Sequence, residues 1–440
     1  MTPPIHNTSL DRDRSSFEVL AGLNWTLLWY PIVWQAGLME DLHHTNRPAD
    51  FAVFSAWSVF FRPPCRRISG ERRSLSMIPT SGHAILLNPG PVNVSPRVAQ
   101  ALLRGDLCHR EREFGVLQAR VRELLCRAFT PDGDYTAVLL TGSGTAALEA
   151  AVASSLSPAH KMLVINNGVY GARIAQMATI HGLPLVELTS PWTLPPDLTQ
   201  LERLLREDPA IEVVCLVHHE TTTGLLNPVA AVGAIVKRYG RVLLVDAISG
   251  LAGDTLDLAA AGIDLCVGTA NKCIQGLPGV SFVLVRSAAM AYMQTLPPRT
   301  LYLHLPMLHS HQERQSTPFT PAVQVMYAFD EALQELLEEG VPQRIQRYRA
   351  AARILRQGFE QLGLKCLLPP ELRSNTITAL ELPSGMSYEA LHDALKARGY
   401  VIYAGQGELA AKIFRVANMG HLTEAHFRAF LDTLREVLAG

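Results

Sequence analysis

The sequence predicts an α/β fold, in which a mostly parallel sheet is covered by helices on both faces and is followed by a smaller α+β domain. Between residues 83 and 321, short apolar runs rich in Val, Leu and Ile alternate with segments whose apolar residues recur every three or four positions. Runs that are apolar on both faces are typical of buried strands in parallel sheets. Their alternation with amphipathic helices is typical of α/β domains.

The individual elements follow from the same two patterns. Six apolar runs are predicted to be strands of the large sheet: 136–140, 162–166, 213–217, 241–247, 263–268 and 280–286. Helical spacing of apolar residues predicts helices at 111–128, 146–155 and 228–239. After Pro321 a helix over 325–339 is predicted to end at Gly340, and strands at 376–382 and 413–416 precede a last helix from about Thr423. We therefore expect an N-terminal extension over 1–76, a large α/β domain over 83–321 and a small α+β domain over 322–440.

Composition excludes several classes of protein. The 440 residues include 39 basic and 40 acidic side chains, with a formal net charge of −1. This balance argues against nucleic-acid binding, which needs clustered cationic surface. With 48% hydrophobic and 18% charged residues, the chain can bury a large core. Its seven cysteines include no Cys-x-x-Cys pair, so we expect reduced thiols in a cytoplasmic protein and neither a disulfide framework nor a zinc site.

Residues 1–76 differ from the rest of the chain. They contain four of the five tryptophans, eight arginines and no lysine, and residues 19–39 run 21 positions without a charge. About 20 apolar residues cross a bilayer, although Asn24, Pro31 and Gln35 interrupt this run. A secretory signal matches less well, because no small-residue cleavage site closes the apolar stretch. We expect a weakly ordered extension, with Met77 as an alternative start; a membrane anchor and an arm packed on the body are the other two interpretations.

Candidate functional residues follow the ends of the predicted strands, where ligands bind in open α/β sheets. A small-residue loop, Gly142–Thr145, follows strand 136–140 and precedes a helix, so its backbone N–H groups can approach an anion. Asp246 lies at the end of strand 241–247, where a buried carboxylate needs a cation or hydrogen-bond donors. Each feature also has an explanation without a ligand, namely a tight turn for the loop and a helix cap for Asp246.

Lys272 is the most specific of these candidates. Only six of the 39 basic residues are lysines, and Lys272 alone lies in almost apolar surroundings, just after strand 263–268. A desolvated lysine is suited to forming an imine. Pyridoxal 5'-phosphate requires three features together: an anion cup, which is the loop 142–145 that can bind its phosphate, a buried aspartate, and a lysine in an apolar pocket. Tyr170, after strand 162–166, is suited to stack on the cofactor ring, with a core or interface position as its alternative.

A metal site is not expected. His304, His309 and His311 lie close together in sequence, but no further ligands at suitable spacing accompany them. Cys273, next to Lys272, raises the possibility of sulfur-transfer chemistry. We expect instead that Cys273 is a small buried residue.

Six stretches in chain order resemble the class V aminotransferases over about residues 85–438: GSGTAALEA, NNGVYGAR, HHETTTGLLNP, VDAISG, ANKCIQGLPG and FRVANMG. HETTTGLLNP and NKCIQGLPG most resemble the branch that moves the amino group of 2-aminoethylphosphonate to pyruvate. The resemblance implies fold type I of the pyridoxal-phosphate enzymes, amine and keto-acid substrates, and a homodimer whose site is completed by both subunits.

The resemblance also implies roles for single residues. Lys272 matches the imine-forming lysine, and Asp246 matches the carboxylate that keeps the cofactor's pyridine nitrogen protonated. The other matched residues would bind cofactor or substrate: Ser143, Gly144 and Thr145 in the phosphate cup, Tyr170 on the ring, Thr222 near the phenolic oxygen, Thr320 at the partner subunit's phosphate, and Arg415 at the substrate's acidic group. The planar fork of Arg415 suits an oxygen pair of a phosphonate or carboxylate; a surface ion pair is its alternative.

The chain departs from the phosphonate branch in two places. Residues 319–324, FTPAVQ, are closer to the alanine–glyoxylate pattern, and Ile248 and the Gly250-Leu-Ala stretch differ from that branch's usual residues near Asp246. The alternatives are therefore an alanine–glyoxylate or serine–pyruvate aminotransferase and, further away, a pyridoxal-dependent lyase or desulfurase. A protein that only binds a phosphate ligand is a non-enzymatic alternative. Both directions of the phosphonate reaction, degradation and synthesis, fit these residues.

Overall fold

A computed structural model describes residues 84–131 and 134–439 in full and residues 18–26, 32–41 and 52–59 as backbone. The chain divides into two compact units, residues 1–80 and 81–440. In the first unit, strands β1 (Glu18–Thr26), β2 (Ile32–Asp41) and β3 (Ala52–Val59) form an antiparallel sheet in the order β1–β2–β3. The charge-free run at 19–39 thus falls mostly in two paired strands, not in a helix. Most residues on which the prediction of a weakly ordered extension depends lie outside the described ones.

No helix in the described part of the chain combines the length and apolar character needed to cross a bilayer.

The second unit contains the remaining strands and all the helices of the described residues. The strands are β4 (Ile85–Leu86), β5 (Tyr135–Thr141), β6 (Lys161–Asn166), β7 (Leu185–Thr189), β8 (Ile211–Val217), β9 (His219–Glu220), β10 (Leu225–Leu226), β11 (Val242–Asp246), β12 (Leu265–Thr269), β13 (Val280–Arg286), β14 (Ile377–Glu381), β15 (Tyr400–Val401), β16 (Tyr403–Ala404) and β17 (Ile413–Ala417). The α-helices are α1 (Pro96–Ala101), α2 (Arg112–Phe129), α3 (Gly144–Ser155), α4 (Val169–Ile180), α5 (Leu198–Glu207), α6 (Val229–Arg238), α7 (Ser287–Met293), α8 (Leu305–Glu313), α9 (Val323–Glu339), α10 (Val341–Gln361), α11 (Tyr388–Lys396) and α12 (Glu424–Ala439). Short 3-10 helices occupy Pro370–Leu372 and Gly407–Leu409.

The large sheet has the strand order β5–β13–β12–β11–β8–β6–β7. All of its neighbouring pairs are parallel except the two made by β13. The six strands predicted from apolar runs are all present, which confirms the mostly parallel α/β fold. The edge strand β7 was missed because only Leu188 of its five residues is buried, so it lacks a continuous apolar run.

Both faces of this sheet are covered, which explains why its strands are apolar throughout. Along β5, Leu139 faces one apolar cluster together with α2, α6 and α9, whereas its neighbours Val138 and Leu140 face a second cluster with α3, α4, α7 and α8. Successive residues of a strand point to opposite faces, so a strand covered on both sides needs apolar residues at every position.

The C-terminal part forms its own apolar cluster. As predicted, α9 ends at Gly340, whose φ of +86° favours glycine, and α10 begins at the next residue. Strands β14, β17 and β16 form an antiparallel sheet packed with α10, α11 and α12. Strand β4 pairs with β15, Leu87 is buried in this third cluster, and the Ala417 N–H donates to the Leu87 carbonyl at 2.7 Å. The first residues of the predicted large domain therefore pack with the small one.

Helix α6 lies very close to the loop before β12. A Cβ atom built on Gly233 would be 1.9 Å from the Ala261 carbonyl oxygen, which is far inside van der Waals contact. Only glycine therefore permits this approach.

We expect Gly233→Ala to lower the free energy of unfolding, although alanine is the better helix former. The propensity gain of about 0.5–1 kcal/mol is smaller than the roughly 1–3 kcal/mol cost of overpacking, because the contacted atom is a backbone carbonyl. Gly105→Ala is the matched control, since no atom lies within 4 Å of its built Cβ. Urea denaturation of both variants measures the difference; equal stability of Gly233→Ala and Gly105→Ala would contradict the tight packing.

Candidate active site

Most of the predicted functional residues meet at the carboxyl ends of the parallel strands. Asp246 is the last residue of β11, and Lys272 lies in the turn after β12. The loop Gly142–Thr145 links β5 to α3, and Tyr170 lies in the first turn of α4 after β6. Because these strands run in parallel, the residues that follow them share one edge of the sheet.

Asp246 is a buried carboxylate with few partners. The residue is 3% exposed, and Oδ1 accepts a hydrogen bond from the Ile248 N–H at 2.9 Å. The pKa of Asp246 is raised to about 6, mainly by burial and also by the nearby Glu220 carboxylate, although the hydrogen bond from Ile248 and the charge of Lys272 act to lower it. A cationic N–H group placed against Asp246 would relieve this desolvation.

Lys272 lies in the same pocket. Burial lowers the pKa of its ammonium group to about 8, although Asp246 acts to raise it. The Nζ atom donates to the Pro89 carbonyl, and Gly90 makes room for the lysine because a Cβ there would lie 2.8 Å from Lys272 Cδ. The segment that contacts Lys272 is the turn Asn88-Pro-Gly-Pro, which follows β4. Its role at the site was not recognised from the sequence.

The N-terminus of α3 is open to an anion. Ser143 is the N-cap, but its side chain makes no capping hydrogen bond with any described residue, and the first turn holds no acidic residue. The free N–H groups and the helix dipole favour a phosphate here. Gly144 lies against Ile248, which follows Asp246 by two residues, because a Cβ on Gly144 would be 2.8 Å from Cδ1 of that isoleucine. The anion cup and the aspartate are therefore adjacent.

Glu220 fixes the start of α4. Its carboxylate is fully buried, and Oε2 accepts the N–H groups of Tyr170 and Gly171, each at 3.3 Å. Burial raises the pKa of Glu220, while these hydrogen bonds act in the opposite direction. The guanidinium of Arg173 lies 4.8 Å from the centre of the Tyr170 ring. The contact with Glu220 could not be seen in the sequence, because 49 residues separate it from Gly171.

The threonines after Glu220 are not equivalent. The Thr222 hydroxyl donates to Glu220 Oε1 at 2.5 Å and accepts from the Val169 N–H at 3.1 Å, so its single proton is already used. The Thr221 hydroxyl is also buried, yet it has no hydrogen-bond partner among the described residues. Thr221 was not singled out from the sequence, because three identical residues in a row give no signal that separates them.

Arg415 projects into the site from β17 and is fully buried. Its Nε donates to the Ala404 carbonyl at 2.8 Å, and its Nη1 donates to the Thr221 carbonyl at 2.6 Å and to Gln406 Oε1 at 3.3 Å. Nη2 is buried without a partner in the described ranges. The alternative of a surface ion pair is therefore wrong.

Two other predicted features lie elsewhere. Thr320 is exposed, in the segment between α8 and α9, so its role at a partner's phosphate stays a prediction. His309 pairs with Glu313 at 3.2 Å. Within the described residues, no three His, Cys, Asp or Glu side chains are grouped so that they could hold a metal ion.

These groups fit a planar cationic ring that carries a phosphate and an aldehyde. A cationic N–H group would suit Asp246, and an anion would suit the start of α3. Lys272 has an amine of lowered pKa, and the Thr221 hydroxyl has no partner among the described residues. Pyridoxal phosphate combines these groups in one molecule.

Comparisons with known proteins agree with this fit. Residues 108–428 match the family model "Aminotransferase class-V". The 2-aminoethylphosphonate–pyruvate transaminase of Syntrophobacter fumaroxidans is 40% identical over 345 residues, covering 77% of this chain and 92% of the relative, and that of Klebsiella pneumoniae is 39% identical, covering 81% and 98%. The alanine–glyoxylate aminotransferase structure from Nostoc sp. superposes with a TM-score of 0.77 at 28% identity, covering 81% of this chain and 96% of that one.

The lowered pKa of Lys272 can be tested in protein freed of cofactor. We expect its reaction with trinitrobenzenesulfonate, followed by peptide mass mapping, to reach half its plateau rate near pH 8, because only the neutral amine reacts. Asp246→Asn should move this midpoint to lower pH, because it removes a carboxylate that raises the Lys272 pKa. The exposed Asp106→Asn is the control. A midpoint at the free-lysine value of 10.5 would disprove the effect of burial.

Proposed function

Because this chain belongs to the class-V aminotransferases, we propose that it moves the amino group of 2-aminoethylphosphonate to pyruvate, giving phosphonoacetaldehyde and L-alanine, or runs the reverse reaction. The family membership confirms the resemblance inferred from the six sequence stretches, the assignment as an enzyme and the dependence on pyridoxal 5'-phosphate. The observation that carries the substrate assignment is the buried guanidinium of Arg415, whose Nη2 has no partner among the described residues and whose charge acts on Lys272.

The cofactor would be held by residues of one subunit and one from its partner. Ser143, Gly144 and Thr145 at the start of α3 would bind its phosphate, Tyr170 its ring face, and Asp246 its pyridine nitrogen. Thr222 orients Glu220 and Val169 at this site, and the neighbouring free hydroxyl of Thr221 would reach the phenolic oxygen. Thr320 is exposed, which supports a role at the partner subunit's phosphate in a homodimer.

When bound, pyridoxal phosphate supplies an aldehyde that condenses with amines and a ring that accepts electrons from the substrate carbon. Lys272 Nζ, with a pKa lowered to about 8, would be neutral often enough near neutral pH to accept the proton from that carbon. Asp246 would hold a proton on the ring nitrogen by ion pairing. Arg415 Nη2 binds the acidic group and thereby places the amine near Lys272.

The alternative with the most support is an alanine–glyoxylate aminotransferase. The FTPAVQ stretch and the solved structure with a TM-score of 0.77 favour it, but the relatives named for the phosphonate reaction are more similar in sequence, at 39–40% against 28%. A desulfurase has less support. It needs a reactive thiolate, whereas burial raises the pKa of the Cys273 thiol to about 12.

The same proposal covers organisation and location. Residues 83–321 and 322–440 form the large and small domains, except that Leu87 packs with the small one.

The substrates are small molecules. A cytoplasmic location is supported by the six cysteines of the described residues, all of which are free thiols.

A donor–acceptor panel on the purified holoenzyme tests the reaction. We expect 2-aminoethylphosphonate with pyruvate to give the highest kcat/KM, well above those of serine or alanine with glyoxylate, and Lys272→Ala to abolish turnover with every donor. Lys365→Ala is the control, because this lysine lies outside the pocket. Higher kcat/KM for alanine and glyoxylate would establish the alternative.

The two threonines should respond in opposite ways to removal of the hydroxyl. Thr221→Val removes an unpaired buried group, so the stability of cofactor-free protein should hold or rise while cofactor affinity falls. Thr222→Val removes the hydroxyl that donates to Glu220 Oε1 and accepts from the Val169 N–H, so it should lower stability by about 1–3 kcal/mol. Thermal denaturation and cofactor titration separate the effects; unchanged cofactor affinity in Thr221→Val would remove its assigned role.

A further inference from the structure

The hydrogen bonds of Arg415 leave only one of its nitrogens for a ligand. A guanidinium has five N–H groups. The Nε hydrogen goes to the Ala404 carbonyl, and the two Nη1 hydrogens go to the Thr221 carbonyl and to Gln406 Oε1. Nη2 alone remains, so neither edge of the guanidinium can offer the parallel pair of N–H groups that matches a planar carboxylate.

Gln406 is positioned to supply the missing donor. Arg415 has no acceptor atom, so the amide atom at 3.3 Å from Nη1 must be the oxygen, and this fixes which way the amide points. The amide nitrogen is bonded to the same carbon, and Gln406 is half-buried, so this nitrogen can donate to a ligand at the edge of the site. Gln406 therefore carries a neutral N–H donor on a side chain that contacts the cationic guanidinium of Arg415.

The loop that carries Gln406 is held in place on both sides. A Cβ on Gly405 would lie 2.1 Å from the Leu409 carbonyl oxygen, and a Cβ on Gly407, whose φ is +53°, would lie 2.6 Å from the Trp192 ring. The Trp192 carbonyl in turn accepts from the Thr223 hydroxyl at 3.1 Å. The side chain of Gln406 thus projects from a backbone that has little freedom to move.

We propose that Gln406 is a specificity-determining residue that works with Arg415 to select a tetrahedral phosphonate over a planar carboxylate. The proposal rests on the function proposed above and deepens it. A phosphonate has three oxygens arranged around phosphorus, so it can meet donors that are not parallel. A carboxylate has two coplanar oxygens and gains less from the same pair of donors.

The test compares two ligands without an amine, ethylphosphonate and propanoate, which are matched in carbon chain but differ in the acidic group. Calorimetric titration of the holoenzyme at pH 8 should show tighter binding of ethylphosphonate. In Gln406→Leu, which keeps the bulk but has no N–H group, ethylphosphonate should bind about 10- to 100-fold more weakly, the usual effect of one hydrogen bond to a charged group. Binding of propanoate should change less than about threefold.

Gln406→Glu is a second variant, because its carboxylate would pair with Arg415 and repel both ligands. Gln100→Leu, an exposed glutamine of α1, is the matched control and should leave both affinities unchanged. An equal loss for both ligands in Gln406→Leu, or no loss for either, would overturn the proposal. These titrations do not depend on turnover, so an enzyme that rejects 2-aminoethylphosphonate as a donor would refute the proposed function while the preference for phosphonate still reports on Gln406.

Discussion

The site depends on one constraint, which is that an amine and a carboxylate share a pocket that water hardly reaches. Burial makes the neutral form of each group more favourable, so the pKa of Lys272 falls to about 8 and that of Asp246 rises to about 6. Each group partly offsets the cost of the other. Helices on both faces of the large sheet make this possible. The apolar strands between them bring both residues to the same edge of the sheet, where little water reaches them.

Much of the architecture could be predicted from the sequence because each strand of the large sheet carries its own signal. The continuous apolar runs reflect burial on both faces, and Lys272 stood out because no other lysine lies in apolar surroundings. Asp246, Tyr170 and Gly144 followed from their places after strands. Strand β7 was the exception, since an edge strand is only partly covered and loses that signal.

The contacts between these residues could not be predicted, because they depend on residues far apart in the chain. Nothing in the run Thr221–Thr223 shows which hydroxyl meets Glu220, and nothing near Gly171 indicates that Glu220 will lie beside it. The acceptors of the hydrogen bonds from Arg415 lie in β16, in the loop that follows it and directly after β9. These partners are set by tertiary packing, so they are visible only when the chain is folded.

A short path of hydrogen bonds and main chain connects Arg415 with Lys272. Strand β17, which carries Arg415, donates from Ala417 to the Leu87 carbonyl, and the carbonyl of Pro89, two residues further along, accepts from Lys272. The strand that carries the arginine and the peptide that restrains the amine are therefore joined by one hydrogen bond and two residues of main chain. The spacing between the guanidinium and the amine is thus set by the backbone, which favours substrates whose acidic group and amine are separated by a matching length.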